Sequence, residues 1–142
     1  MIKIQGIDHV VLRVRDLAQM LGFYQNVLGC QLERTETDLG LYQLRAGQSL
    51  IDLVPVDSIL GSKGGDAPEP HHKHNVDHLC LRVEPFDPDA IIAFLHQNGV
   101  TAGEVTRRYG AQGFGLSIYI KDPEGNTVEL KGAPESQSQT SV

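Results

Sequence analysis

The chain has 142 residues, 40 % of them hydrophobic and 21 % charged, with a formal net charge of −6. That is one domain's worth of ordinary globular sequence, long enough to bury a core without a disulfide or structural metal. The acidic balance points away from nucleic acid and anionic membranes, and no apolar run approaches the ~20 residues of a membrane span. Two cysteines, Cys30 and Cys80, are too few for a disulfide framework.

Met1-Ile2-Lys3-Ile4-Gln5-Gly6 leads straight into a strand with no signal peptide, so a cytoplasmic location is expected. Residues 7–14 alternate with period two: Val10, Leu12 and Val14 on one side, His9, Val11 and Arg13 on the other. Asp16 reads as a helix N-cap, Leu17, Met20, Leu21, Tyr24 and Leu28 follow at helical spacing, and Gly29 is the expected stop. Strands are expected over 30–36, 41–46 and 49–56, separated by turn residues at Gly40 and Ala46-Gly47-Gln48-Ser49. Residues 57–75, rich in Gly, Pro, Ser and His, read as a linker. His71-His72-Lys73-His74 within it reads as a solvated loop or lid, because adjacent side chains point different ways.

The order then repeats. Residues 76–83 form a strand with His78, and Asp87-Pro88 is an N-cap followed by Pro at N1. Ile91, Phe94 and Leu95 make the apolar stripe of a helix that ends at Gly99. Strands are expected near 102–107, 115–121 and 126–131, with Asp122-Pro123-Glu124-Gly125-Asn126 as a hairpin turn between the last two. The fold expected is α+β: two βαβββ modules forming curved sheets, in one domain over 1–132, with module one at 5–56 and module two at 76–132. A disordered Ser/Gln/Thr tail is expected over 133–142.

The repeat is explicit. Ile7-Asp8-His9-Val10-Val11-Leu12-Arg13-Val14 returns as Val76-Asp77-His78-Leu79-Cys80-Leu81-Arg82-Val83, and Ile51-Asp52-Leu53 is answered by Val128-Glu129-Leu130. Strand parity puts His9, His78, Asp52 and Glu129 on the face opposite the helix-packing side chains. A buried carboxylate there carries a desolvation cost that a divalent cation would offset. Two imidazoles and two carboxylates are a ligand set for such an ion. Asp52, one methylene shorter than Glu, would either bind it or orient a water. Module two is eight residues longer between its His and its acid, absorbed at Arg107–Gly115. A Gly-rich, substrate-facing loop is expected there, bearing Arg108. Arg13, Arg82 and Tyr119 are further candidates for substrate contact, and the arginines point to an anionic substrate.

These modules, the two His-bearing first strands, Phe23-Tyr24-x-x-Val27-Leu28-Gly29 and the Asp122-Pro123-Glu124-Gly125-Asn126-x-x-Glu129 ending resemble the vicinal oxygen chelate superfamily over about residues 5–132. That group spans glyoxalase I, fosfomycin-resistance thiol transferases, extradiol dioxygenases, methylmalonyl-CoA epimerase and bleomycin-resistance proteins. Arg108-Tyr109-Gly110-Ala111 followed by Ser117-Ile118-Tyr119-Ile120-x-Asp122-Pro123 is similar to the glyoxalase domain-containing protein 5 group.

The resemblance implies that His9, His78 and Glu129 bind a divalent metal (Ni, Zn, Mn, Co or Fe(II)). Asp52 stands where glyoxalase I places a fourth ligand, usually Glu. It also implies a small substrate chelating through vicinal oxygens, with the metal as Lewis acid. Glu129 would abstract a proton beside a carbonyl, with Asp52 as its counterpart: a glyoxalase-like lyase or isomerase. The alternatives are an Fe(II) extradiol-type dioxygenase, a Mn-dependent transferase using a thiol such as glutathione, and a non-enzymatic binder like the bleomycin-resistance proteins. A homodimer is expected, since the family often builds its cups between chains.

Overall fold

The computed structural model describes residues 1, 3–67 and 76–135. The chain divides into two compact units, Met1–Lys73 and His74–Val142. The His71–His74 cluster lies outside the described residues.

In unit one, β1 (His9–Val14) runs into α1 (Leu17–Gly22), followed by β2 (Gln31–Glu36), β3 (Leu41–Ala46), β4 (Ser49–Pro55) and α2 (Ile59–Ser62). Asp16 caps α1 by accepting from the Gln19 N–H at 3.0 Å. Beyond Gly22 the helix widens to a π-turn over Phe23–Val27, with the Leu28 N–H donating to Phe23 O. The widening shifts the helical phase. Phe23 and Tyr24 therefore both face the core, their rings edge-to-face at 5.2 Å, while Leu17, Leu21 and Leu28 are only half-buried. Gly29, at φ +74, reverses the chain so that the Cys30 N–H reaches Tyr24 O at 2.8 Å.

The sheet order is β1-β4-β3-β2, with β1 parallel to β4 and the other pairs antiparallel. Val14, Met20, Tyr24, Leu44, Ile51 and Leu53 form the core on the helix side. The short helix α2, capped by the Ser58 hydroxyl, falls inside the stretch read as linker.

Unit two repeats this plan: β5 (Leu79–Arg82), α3 (Pro88–Gln97), β6 (Thr106–Gly110), β7 (Gly113–Lys121) and β8 (Thr127–Lys131), in the order β5-β8-β7-β6. Asp87 caps α3, and Pro88 occupies its first turn. Of the expected stripe only Leu95 is buried, against Ile118, Ile120, Val128 and Leu130 in the same core, whereas Phe94 is 46 % exposed. The Asp122 carboxylate closes the β7–β8 turn by accepting from the Glu124 and Asn126 N–H groups, so that motif is structural.

Two expectations for this unit need correction. The strand placed near 102–107 lies at 106–110, and Arg107–Gly115 is no open loop. Arg107, Arg108 and Tyr109 are strand residues paired with Leu116, Gly115 and Phe114, and only Ala111-Gln112 turn the hairpin. At the chain end, residues 133–135 are held rather than disordered: the Glu135 N–H donates to Phe114 O and its carboxylate grips Arg107 in bidentate fashion. The rest of the tail lies outside the described residues.

Candidate functional site

In unit one, His9 opens β1 and Asp52 sits mid-β4, with Val11 as its register partner on β1 and Gln43 on β3. His9 Nδ1 lies 2.7 Å from Asp8 Oδ1. A carboxylate only accepts, so Nδ1 carries the proton and Nε2 keeps its lone pair when the ring is neutral. The His9 pKa is raised, chiefly by this Asp8 hydrogen bond; burial opposes the rise, and the Asp52 and Asp8 charges add to it. Asp52 is 2 % exposed. Its Oδ2 accepts from Gln43 Nε2 at 3.2 Å, but Oδ1 has no partner among the described residues. A buried carboxylate oxygen left in that state is costly and calls for a cation or water.

In unit two the same positions carry more chemistry. His78 Nδ1 lies 2.7 Å from Asp77 Oδ2, again directing the free Nε2 outward. That Nε2 is 3.4 Å from Oε1 of Glu129, which is 5 % exposed. With Nδ1–H committed to Asp77, a neutral His78 turns a lone pair toward a carboxylate oxygen. A cation placed between these two acceptors would satisfy both.

Glu129 Oε2 accepts from the Cys80 thiol at 3.4 Å, and Tyr119 is the register partner of Glu129 on β7. Cys80 is an exposed residue, but desolvation at its sulfur, reinforced by the Glu129 charge and hydrogen bond, pushes the thiol up to about 12. Burial first, then Glu129, also raises Tyr119, while Arg108 opposes. The Tyr119 ring meets His78 edge-to-face at 5.3 Å, and the Arg108 guanidinium lies over Tyr119 at 4.4 Å.

The registers make Val11 the counterpart of Cys80 and Gln43 the counterpart of Tyr119. Each unit thus brings one His and one acid to one sheet face. Among the described residues no three His, Cys, Asp or Glu cluster tightly enough to hold a metal ion. The fit rests instead on the donors within each unit: in unit one, His9 with its carboxylate-fixed tautomer and an Asp52 oxygen that is orphaned among the described residues; in unit two, His78 with its carboxylate-fixed tautomer and Glu129 aimed at Nε2. A carboxylate behind a histidine is how proteins orient and strengthen a metal-ligating ring.

Arg13 does not join this group. Its Nε, Nη1 and Nη2 donate to the carbonyls of Gly61, Asp66 and Gly65, so all three guanidinium nitrogens fasten the segment at α2. Arg82 pairs with the Glu84 carboxylate at 2.5 Å on an exposed rim. Tyr119 does meet His78 and pairs in register with Glu129, and Arg108 reaches this group only through the Tyr119 ring. Sequence reasoning passed over Gln43, Ser117 and Lys131. Parity gives the last two away, since each stands two positions from a candidate on the same strand face, Ser117 from Tyr119 and Lys131 from Glu129.

The family model described as Glyoxalase/Bleomycin resistance protein/Dioxygenase superfamily matches residues 6–130. The virulence protein STM3117 of Salmonella typhimurium is 29 % identical, over 89 % of this chain and 83 % of that protein. Lactoylglutathione lyase of the same organism is 30 % identical over 90 % and 93 %. Among solved structures, a protein from the mobile metagenome of V. Pseudocholerae superposes with TM-score 0.78 at 27 % identity, covering 95 % of this chain and 99 % of that one. Among the described residues no helix is long and apolar enough to cross a membrane.

Proposed function

We propose, since this chain belongs to the Glyoxalase/Bleomycin resistance protein/Dioxygenase superfamily, that it is a metal-dependent enzyme of glyoxalase type. It acts as a lyase or isomerase on a small substrate with vicinal oxygens. The observation that carries this reading is the His78 Nε2 to Glu129 Oε1 approach of 3.4 Å, with Nδ1 already committed to Asp77. Its counterpart is the unpartnered Asp52 Oδ1 in unit one.

His9, His78 and Glu129 are the proposed ligands, with Asp52 as fourth donor or as the group that orients a water. When bound, the ion supplies Lewis acidity and leaves open positions for the substrate.

The chain's own groups do the rest. Asp8 and Asp77 hold the imidazole tautomers. Cys80 and Tyr119 steady Glu129, which takes the proton beside the substrate carbonyl, with Asp52 as its counterpart. The lactoylglutathione lyase relative at 30 % identity supports this class and makes a thiol such as glutathione the co-substrate to try first. The proposed setting is a cytoplasmic homodimer.

The test is metal content of the untagged protein by elemental mass spectrometry, beside a His78→Ala/Glu129→Ala variant. About one divalent ion per chain, lost in the variant, is expected. No metal as purified and no uptake of Ni, Mn, Zn or anaerobic Fe(II) would overturn the reading.

A further inference from the structure

A relay of side-chain hydrogen bonds runs to Asp52 from the outer edge of its sheet, across three strands. Arg34, on the edge strand β2, donates through Nη1 to Gln43 Oε1 on β3 at 3.1 Å, and Gln43 Nε2 donates to Asp52 Oδ2 on β4 at 3.2 Å. Arg34 Nη2 is tied to the Glu36 carboxylate at 2.6 Å. The three residues stand abreast: Arg34 is the register partner of Gln43, and Gln43 is that of Asp52.

The relay fixes the sense of the Gln43 amide. An amide has one accepting end and one donating end, whereas a guanidinium only donates and a carboxylate only accepts. Arg34 therefore holds only Oε1, and Asp52 holds only Nε2, so both partners select the same orientation. The flipped amide would set its oxygen against a buried carboxylate oxygen, leaving both acceptors without a donor. Asp52 thus has one oxygen held, and Oδ1, without a partner among the described residues, is the one it offers.

A break in strand register delivers Arg34 to this place. β2 and β3 pair Gln31 with Arg45 and Leu32 with Leu44, then shift by one residue so that Arg34 rather than Glu33 meets Gln43. Unshifted pairing would put the Glu33 carboxylate opposite Gln43, where it would compete with Asp52 for the Nε2 donor. Glu33 instead takes Arg45 in a bidentate pair at 3.2 and 2.7 Å. Bulges re-aim side chains in this way and are frequent beside functional sites. Unit two has the same relation in other chemistry: Arg108, on its edge strand β6, lies over the ring of Tyr119, the register partner of Glu129.

We infer that Arg34 is a positioning residue for Asp52. Acting through Gln43, it holds one carboxylate oxygen and leaves Oδ1 as the single atom presented to a cation or a water, so Asp52 is a one-oxygen donor. That Oδ1 meets a cation rests on the function proposed above; the relay itself does not.

Two measurements keep these apart. In metal-free full-length protein, the Gln43 side-chain amide is followed by NMR. Its resonances are expected to move toward those of a free glutamine amide in Arg34→Met, and to return in Arg34→Lys, which still donates to Oε1. Glu33→Gln loosens β2 against β3 without touching Gln43 and is expected to leave the amide as in wild type. An amide unchanged in Arg34→Met, or displaced equally in Glu33→Gln, overturns the positioning role.

Zinc affinity is then measured by competition with a chromophoric chelator, over the cycle of Arg34→Met and Asp52→Asn. Arg34→Met is expected to weaken zinc about two- to fivefold when Asp52 is present and to have no effect in Asp52→Asn, as for residues coupled in one hydrogen-bond network. Equal losses in both backgrounds overturn Asp52 as the group positioned. If wild-type protein takes up no zinc, the metal-dependent reading fails and the amide resonances alone decide the relay.

Discussion

Asp52→Asn should make the metal-free protein more stable and the metal-loaded protein less so. Asp52 is 2 % exposed, its Oδ2 accepts from Gln43 and its Oδ1 has no partner among the described residues. An unsatisfied buried polar atom costs about 1–3 kcal/mol, and more when charged. Asn keeps the volume, can still accept from Gln43 through its carbonyl oxygen, and exchanges the buried charge for a neutral amide whose N–H groups take the place of Oδ1. A gain of about 1–2 kcal/mol is therefore expected without metal, or roughly 3–6 °C in Tm for a chain of this size. With metal the balance reverses. A ligand at a hundred times its Kd adds about 2.7 kcal/mol to the folded state, and a variant lacking the fourth donor should forfeit much of that increment. The assay is urea or thermal unfolding of wild type and variant, in chelator and in excess zinc, at pH 7. Destabilisation of the variant in chelator would refute the reasoning, because it would mean Asp52 is satisfied within the folded chain. An unchanged zinc increment would remove Asp52 from the ligand set.

Three further outcomes follow from the geometry. Cys80 is exposed, yet its thiol is pushed up to about 12 by desolvation and Glu129, so the thiolate is scarce and it should alkylate slowly with iodoacetamide at pH 8. Glu129→Gln removes two of the causes and should speed the reaction, read by peptide mass spectrometry with buried Cys30 as reference. Arg13→Met should lower unfolding stability by about 1–3 kcal/mol through the lost carbonyl contacts at Gly61, Gly65 and Asp66, while leaving metal content unchanged. The Glu135 carboxyl is held below the usual Glu range by its hydrogen bonds to Arg107. A depressed folded pKa gives stability that is present above the unfolded value and lost as pH falls through the folded one. Hydrogen exchange at the Glu135 amide should therefore stay protected at neutral pH and open only below about pH 4.

The arrangement of elements was legible because its signals are local. Asp16 and Asp87 cap helices through their own next turn, Gly29 and Gly99 end them at positive φ, and strand alternation needs only neighbouring side chains. Parity alone placed His9 with Asp52 and His78 with Glu129, each pair on one sheet face, and the registers bear that out unit by unit. The α1 stripe was misphased because a π-turn adds a residue that periodicity does not reveal.

What the residue order determined by itself is the repeat: two strand–helix–strand–strand–strand modules, each bringing one histidine and one acid to the same side. That follows from the period of a strand and the chemistry of caps, which hold whatever surrounds them. What only the tertiary structure decided is where the long side chains end. Arg13 turns to carbonyls some fifty residues away, Lys131 reaches Gly113 O on a neighbouring strand through the gap that Gly110 and Gly115 leave, and Arg108 lands on Tyr119 rather than in an open loop. Such side chains reach over several strands and are captured by whichever acceptor or ring the pairing register delivers, and that register is a property of the folded sheet.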